Sequence, residues 1–466
     1  MNRWAAVATV VALVAAAPAA TASAITPPAV DPAAVPPDTP PGPDEPLRME
    51  HTCTVTGVLP GSDLGAPTPS QAFMDLPAMW RSAGRGAGVT VGIIDTGVNP
   101  SPRLPHLRGA GDYVDPAANG LSDCDDHGTI VASIIGGQPS DGDGFSGVAP
   151  DADLVSVRQS SDAFAPERPN PGDFEADRRA GTVASLARAI VHMANAGARV
   201  INMSVVACIP ALKPVDQTTL GAAVRYAFVD KDVVLVAAAG NLGDRTVGNA
   251  DCAQNPDVDA GNPTDPRNWG GVVTISAPSW FSDYVLSVGA TDAKGAPAVD
   301  VNGREITLFG PWVGVGAPGV AVEGFDVHGG VVNAALDTQA NQLKAVNGTS
   351  FSAAYVSGVA ALIRAKYPTL PARGVVQRIE ATAHSPAPVV DNKIGYGTVD
   401  GPAALNYDVP LDAAPVRENL TRPLTPPPPR PQPDRRPLLI TLGGSMTALG
   451  LLAALVGVIA ITKEKR

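Results

Sequence analysis

Three residues in this 466-residue chain have the types and settings that acyl transfer through a serine requires. Ser350 lies in Asn347-Gly348-Thr349-Ser350-Phe351, where a Gly-flanked serine runs into an Ala/Val/Leu-rich stretch ending near Lys366. That pattern reads as a loop feeding a buried helix. At a helix start, unpaired N–H groups and the positive end of the dipole favour negative charge, so an oxyanion forming beside the Ser350 hydroxyl is stabilised there. The plainer alternative is that Ser350 or Thr349 is an N-cap. His127 opens a second, Ala/Ile-rich helix in Asp126-His127-Gly128-Thr129, and Asp95 closes the apolar run from Val89 just before Thr96-Gly97. Singly, these are a capping histidine and a strand-terminating aspartate. Together they supply a nucleophile, a base and an orienting acid. A serine needs all three, because its hydroxyl is not nucleophilic at neutral pH until an imidazole takes the proton.

Asp95-Thr-Gly, His127-Gly-Thr and Gly348-Thr-Ser350, in that order, resemble the three signatures of the subtilisin-like serine proteases. The resemblance implies an Asp95, His127, Ser350 triad acting as an endopeptidase without metal or cofactor. It also implies that the buried run from Val233 to Gly240-Asn241 carries the oxyanion hole, with the Asn241 amide as donor. A turn asparagine is the bland alternative. Val200-Ile-Asn202-Met203-Ser204-Val205-Val206 resembles the family's substrate-pairing strand, which holds an extended peptide by β-augmentation. The expected substrate-contacting set is therefore Asn202, Met203, Ser204, Val205, Ala238, Ala239 and Gly240. Two positions depart from the family. Val206-Ala207-Cys208 stands where a Gly pair is usual, which implies a different cleft rim, and Ala354 replaces a proline four positions after the nucleophile.

Elements must deliver these residues to one place. Strand candidates at 89–95, 153–157, 199–205, 233–239 and 285–290 alternate with helix candidates at 128–136, 181–196, 218–230 and one after Ser350. The alternation predicts a three-layer α/β domain with a mostly parallel sheet, and the resemblance implies that it is a subtilisin-like domain, over 81–407. Active sites of such sheets lie at the carboxyl ends of strands, where Asp95 and Asn241 fall. Gln159 to Ala180 is polar and aperiodic, and is expected to be a mobile surface loop near the cleft.

The formal net charge of −12, with no basic cluster before the last residues, opposes binding to nucleic acid. Residues 1–24 read as a removable signal peptide: a basic start, an apolar stretch, then Ala22-Ser23-Ala24. Export permits disulfides among the four cysteines, none of which form a CxxC pair. Of three possible pairings we favour Cys53 with Cys124, which clips the N-terminal segment beside His127, and Cys208 with Cys252, which flanks two strand exits. Reduced core cysteines are the alternative. Residues 25–80 form an N-terminal extension. Its Pro-rich part to Leu47 is expected to be extended or disordered, and Phe73, Leu76, Met79 and Trp80 are spaced for a short docking helix. This length is marginal for an independent inhibitory domain, so a retained, wrapping extension is expected. Residues 408–437 are a Pro-rich linker. Leu438 to Ile461 is uncharged and longer than the ~20 residues that span a bilayer, and the basic end of residues 462–466 places that tail in the cytoplasm.

This whole layout resembles the mycosins, the membrane-anchored proteases of actinobacterial type VII secretion systems. The resemblance implies protein substrates exported by the system, partners among the membrane components of the secretion complex, and a catalytic domain on the extracytoplasmic side of a single-pass anchor. Two rival readings are a general degradative surface protease and a structural secretion subunit with incidental activity.

Overall fold

Apolar runs that lack alternation must bury both of their faces, and the computed structural model places seven strands side by side between helices. It describes residues 25–168, 180–212, 215–242, 252–338, 340–387, 390–411 and 446–459. The sheet contains β1 (Thr90–Asp95), β2 (Leu107–Asp112), β3 (Asp153–Arg158), β4 (Val200–Met203), β5 (Val234–Ala238), β6 (Val285–Thr291) and β7 (Val313–Pro318). Their order is β7-β6-β5-β4-β1-β3-β2, with every neighbouring pair parallel.

The described helices are α1 (Pro69–Met74), α2 (Leu76–Ala83), α3 (His127–Gly136), α4 (Val183–Asn195), α5 (Thr218–Arg225), α6 (Thr349–Lys366), α7 (Ala372–Ala381) and α8 (Gly401–Asn406). Alternation along β1 sorts them into layers. A Cβ at Gly92 would collide with Met193 of α4, whereas one at Gly128 of α3 would sit 3.1 Å from Asp95 Cβ. Positions 92 and 95 face opposite sides, so α4 covers one face and α3 the other. α6 lies against β4 to β7 and alongside α3. This is the three-layer arrangement expected.

Two strands escaped the pattern reading. β2 (LRGAGD) and β7 (VGVGAP) are broken by glycines that close approach requires: a Cβ at Gly109 would strike the Asn119 carbonyl, and one at Gly316 would lie 2.7 Å from Ile394 Cγ2. The helix expected over 218–230 is α-helical to Arg225 and continues as a π-helical turn, Tyr226–Asp230. The segment expected to be a mobile loop is held at both ends. Ser161, Ala163, Ala165 and Ala180 are buried, and Phe164–Pro166 forms a strand; residues 169–179 lie outside the described residues.

The Pro-rich half of the extension, expected to be extended or disordered, is an ordered strap along the body. Val30 is buried against Gly221 of α5. Asp38 accepts from Asn195 Nδ2 at 2.9 Å and lies 2.7 Å from His192 Nδ1, while Asp44 pairs with Arg188, all on α4. Leu47–Met49 then pairs antiparallel with Phe164–Pro166, and Thr56–Gly57 joins Ala334–Asp337. The single helix expected near Phe73 is two, broken at Asp75, whose φ of 47° stops α1 and whose carboxylate caps α2. Met74 and Met79 are fully buried, and Trp80 Nε1 donates to the Val148 carbonyl at 2.8 Å.

Most of the expected terminal segments, 1–24 and 412–445, lie outside the described residues. A helix covers 446–459 in a separate unit, Arg422–Arg466. Among the described residues no helix is long and apolar enough to cross a membrane.

Met79 fills the junction between α2 and α8, where its thioether abuts Gly401. Met79→Ala leaves a cavity there and should lower unfolding stability by about 2–5 kcal/mol, read by chemical denaturation.

Candidate active site

Strand ends and helix starts converge at one edge of the sheet. Asp95 is the last residue of β1, Ser204 follows β4 and Asn241 follows β5; His127 is the first residue of α3 and Ser350 the second of α6. Asp95 is buried, and its Oδ1 accepts from the Thr96 N–H at 2.7 Å and lies 2.6 Å from His127 Nδ1. A carboxylate there holds the proton on Nδ1 and leaves Nε2 as the acceptor. The Phe351 ring, one residue past the serine, lies 5.4 Å from the imidazole.

The Ser350 hydroxyl donates to the Ser204 carbonyl at 3.1 Å, so it must turn away from that oxygen to give its proton to His127. Asn241 is clamped from one side: its Oδ1 accepts from Thr349 N at 2.9 Å and Thr349 Oγ1 at 3.0 Å, while Thr349 Oγ1 accepts from Gly240 N at 3.2 Å. With the oxygen end engaged, the amide Nδ2 is the end left to donate. Gly348 gives it room, since a Cβ there would sit 3.3 Å from Nδ2.

A second buried carboxylate lies behind the base. Asp123 Oδ1 accepts from Thr96 Oγ1 at 2.9 Å and Asp125 N at 3.0 Å; its Oδ2 accepts from Thr129 N at 2.8 Å and Thr129 Oγ1 at 2.7 Å. Thr96 Oγ1 also accepts from Gly128 N at 3.0 Å, which ties the turn after β1 to the first turn of α3. Burial pushes Asp123 up to about 7 against the opposing Thr129 hydrogen bond. For His127, burial acts to lower the pKa, but the charge and hydrogen bond of Asp95, helped by Asp123 and Asp162, outweigh it and raise it to about 9. Sequence reasoning missed Asp123 and the clamp made by Thr349. Their only signal was proximity, an acid four residues before the histidine and a threonine beside the serine.

The expected substrate-contacting set divides. Asn202 and Met203 have no exposed surface, and the Asn202 amide bonds Ser204 and Ser357 inside the fold. Ala238, Ala239 and Gly240 are also buried; Ala239 N donates to the Val288 carbonyl and the Gly240 carbonyl accepts from Leu308 N. All five of these residues are therefore buried in the structure. Ser204 sits just beneath the surface, and Val205 and Val206 are half-buried at the rim. Where the family has its Gly pair, Ala207–Pro210 pairs antiparallel with Thr274–Ala277. Cys208 is joined to Cys252, and Cys53 to Cys124.

The subtilase family profile matches residues 86–397. Mycosin-3 of Mycobacterium tuberculosis is 45% identical over 91% of this chain and 90% of its own length. The solved structure of the MycP3 protease from the type VII (ESX-3) secretion system is 48% identical, with a TM-score of 0.76, over 82% of this chain and all of that one. A chain in the structure of an intact ESX-5 inner membrane complex is 46% identical, with a TM-score of 0.77, over 94% of this chain and all of that one.

A base works deprotonated, so hydrolysis of an ester substrate should rise with pH through a midpoint above the ordinary 6.5 and towards 9. Asp95→Asn should move that midpoint down, since the strongest influence opposing burial is then lost and only the weaker pulls of Asp123 and Asp162 remain. The raised pKa also makes the ion pair stabilising below 6.5, with that contribution lost as pH rises through about 9. A pH profile of kcat/KM with parallel thermal melts reads both effects.

Proposed function

Because the chain belongs to the subtilase family and, within it, to the mycosins, we propose that it is the serine endopeptidase of a type VII secretion system, cutting exported proteins with Asp95, His127 and Ser350. The observation that carries the reading is the 2.6 Å contact between Asp95 Oδ1 and His127 Nδ1 at the carboxyl end of β1, with Ser350 at the start of a buried helix beside it.

His127 Nε2 takes the Ser350 proton as Oγ attacks the peptide carbonyl. Asn241 Nδ2 and the Ser350 N–H receive the oxyanion, and both donors are fixed before the reaction starts. His127 then hands its proton to the leaving amine, and water repeats the sequence to free the acyl enzyme. The half-buried rim at Val205 and Val206, with Ser204 just beneath it, would pair with an extended peptide through its backbone.

The chain is proposed to sit in the cell membrane, with residues 438–461 as a single span, 462–466 in the cytoplasm, 408–437 as a linker and the catalytic domain outside. The helix over 446–459 supports this, because Leu449, Leu451, Leu452, Leu455 and Ile459 are all exposed and an apolar surface of that kind needs a covering medium. Partners would be membrane components of the secretion complex, as befits a chain so similar to one in an assembled inner membrane complex. That likeness also favours a structural contribution. A strain carrying Ser350→Ala that still secretes where a deletion strain does not would assign the essential role to scaffolding.

Ser350→Ala, His127→Ala and Asp95→Ala should each remove nearly all peptide cleavage while leaving the fold intact, and Asn241→Ala should lower turnover by roughly 10²–10³. Peptide turnover by the purified protein checks both, and cleavage at the normal rate by Ser350→Ala would refute the mechanism. Deleting residues 25–80 should lower the melting temperature and leave triad chemistry possible. Activity that appears only once the extension is lost would mean that it inhibits.

A further inference from the structure

Asn202 is out of place by composition. It lies in β4, opposite Ile93 of β1 and Val236 of β5, with no exposed surface. A buried amide is destabilising unless both of its ends are bonded. Both are: Ser357 Oγ donates to Asn202 Oδ1 at 2.9 Å, and Asn202 Nδ2 donates to Ser204 Oγ at 2.7 Å. Ser204 Oγ then donates to the Ser350 carbonyl at 3.0 Å, while Ser350 Oγ donates back to the Ser204 carbonyl at 3.1 Å. Ser350 and Ser357 lie on the same helix, about two turns apart.

The direction of the chain of bonds matters. A serine hydroxyl has one proton to give. Because Asn202 donates to Ser204, that proton is free for the Ser350 carbonyl. An acceptor in place of Nδ2 would claim the proton for itself and break the link from the Ser204 hydroxyl to the Ser350 carbonyl. We propose that Asn202 is a positioning residue for the nucleophile, setting the seat of Ser350 through the Ser204 hydroxyl and taking no contact with substrate. The inference deepens the serine-peptidase reading and rests on it.

A small fluorophosphonate tests it on the full-length protein without a known substrate. Ser350 Oγ forms a bond to phosphorus, the P–F bond breaks, and the hydroxyl proton passes to His127. In Asn202→Leu, and in the isosteric Asn202→Asp, the maximal labelling rate should fall about ten- to a hundred-fold, as small misplacements of a reacting group do. The half-saturating probe concentration and the midpoint of the pH profile should stay where they are, because probe binding and His127 are untouched. A packing role alone would leave Asn202→Asp at the wild-type rate, and that result overturns the inference. If either variant fails to melt cooperatively, Ser204→Ala reads the same link, and undiminished labelling of it refutes the inference equally. Wild-type protein that does not label would instead sink the serine-peptidase reading, and this inference with it.

Discussion

Helix α6 has no face for solvent. Sixteen of its 18 residues are buried, so every side of it is fixed by a neighbour and none can relax into water. Its residues are small where those neighbours come close: a Cβ at Gly358 would collide with Val148, and Ser352 leaves no room for a side chain at Gly319. Interiors packed to this density resist rotation and translation alike. Ser350 therefore takes its place from the core, and the same holds for His127, whose helix lies against α6. A loop-borne nucleophile would have no such reference frame.

Charge is the second constraint. Burial drives an imidazole towards neutrality, and the facing charge and hydrogen bond of Asp95 reverse that for His127. Asp123 lies within reach of both and would repel Asp95 if fully ionised. Burial lifts it to about 7, so near neutral pH it carries only part of its charge. Its hydrogen bonds to Thr96 and Thr129 meanwhile stitch the two segments that carry the acid and the base. Geometry and electrostatics thus make compatible demands on one residue.

How much of this was legible depended on whether local pattern and tertiary role agreed. β1, β3, β4, β5 and β6 are apolar because they are buried on both faces, so periodicity exposed them. β7 is just as buried, whereas β2 is an edge strand buried only at its end; both need glycine for close approach, and a hydrophobic pattern cannot register that need. Asp95, His127, Ser350 and Asn241 were visible because each closes or opens an element. Asn202 was singled out through the likeness of its segment to a substrate-pairing strand, whereas the bonds that satisfy its amide inside the fold leave no trace in the sequence. The Pro-rich strap was unreadable because its order comes from α4 and the body, not from its own composition.

The attachment of that strap bears on the base. Three residues precede His127 without interruption, and the extension holds two of them directly: Cys124 by the disulfide to Cys53 and by a bond from Thr54 N to its carbonyl at 2.8 Å, and Asp126 by Thr56 Oγ1 at 2.6 Å. The third, Asp125, takes Ser161 Oγ at 2.6 Å from a segment whose continuation pairs with Leu47–Met49. Asp126 itself sits at a φ of 58°, a conformation unfavourable for a residue with a side chain and maintained only by its surroundings. The extension thus stabilises the turn that aims the imidazole at Asp95. Its bonds to the body fall on α4, on Phe164–Pro166, on this turn, on Asn333 with the strand Ala334–Asp337, and on the segment from Gly144 to Val148, and among the described residues none falls on Ser350 or Asn241. A segment arranged in this way supports the base from behind, which is a different mechanical task from occupying the cleft.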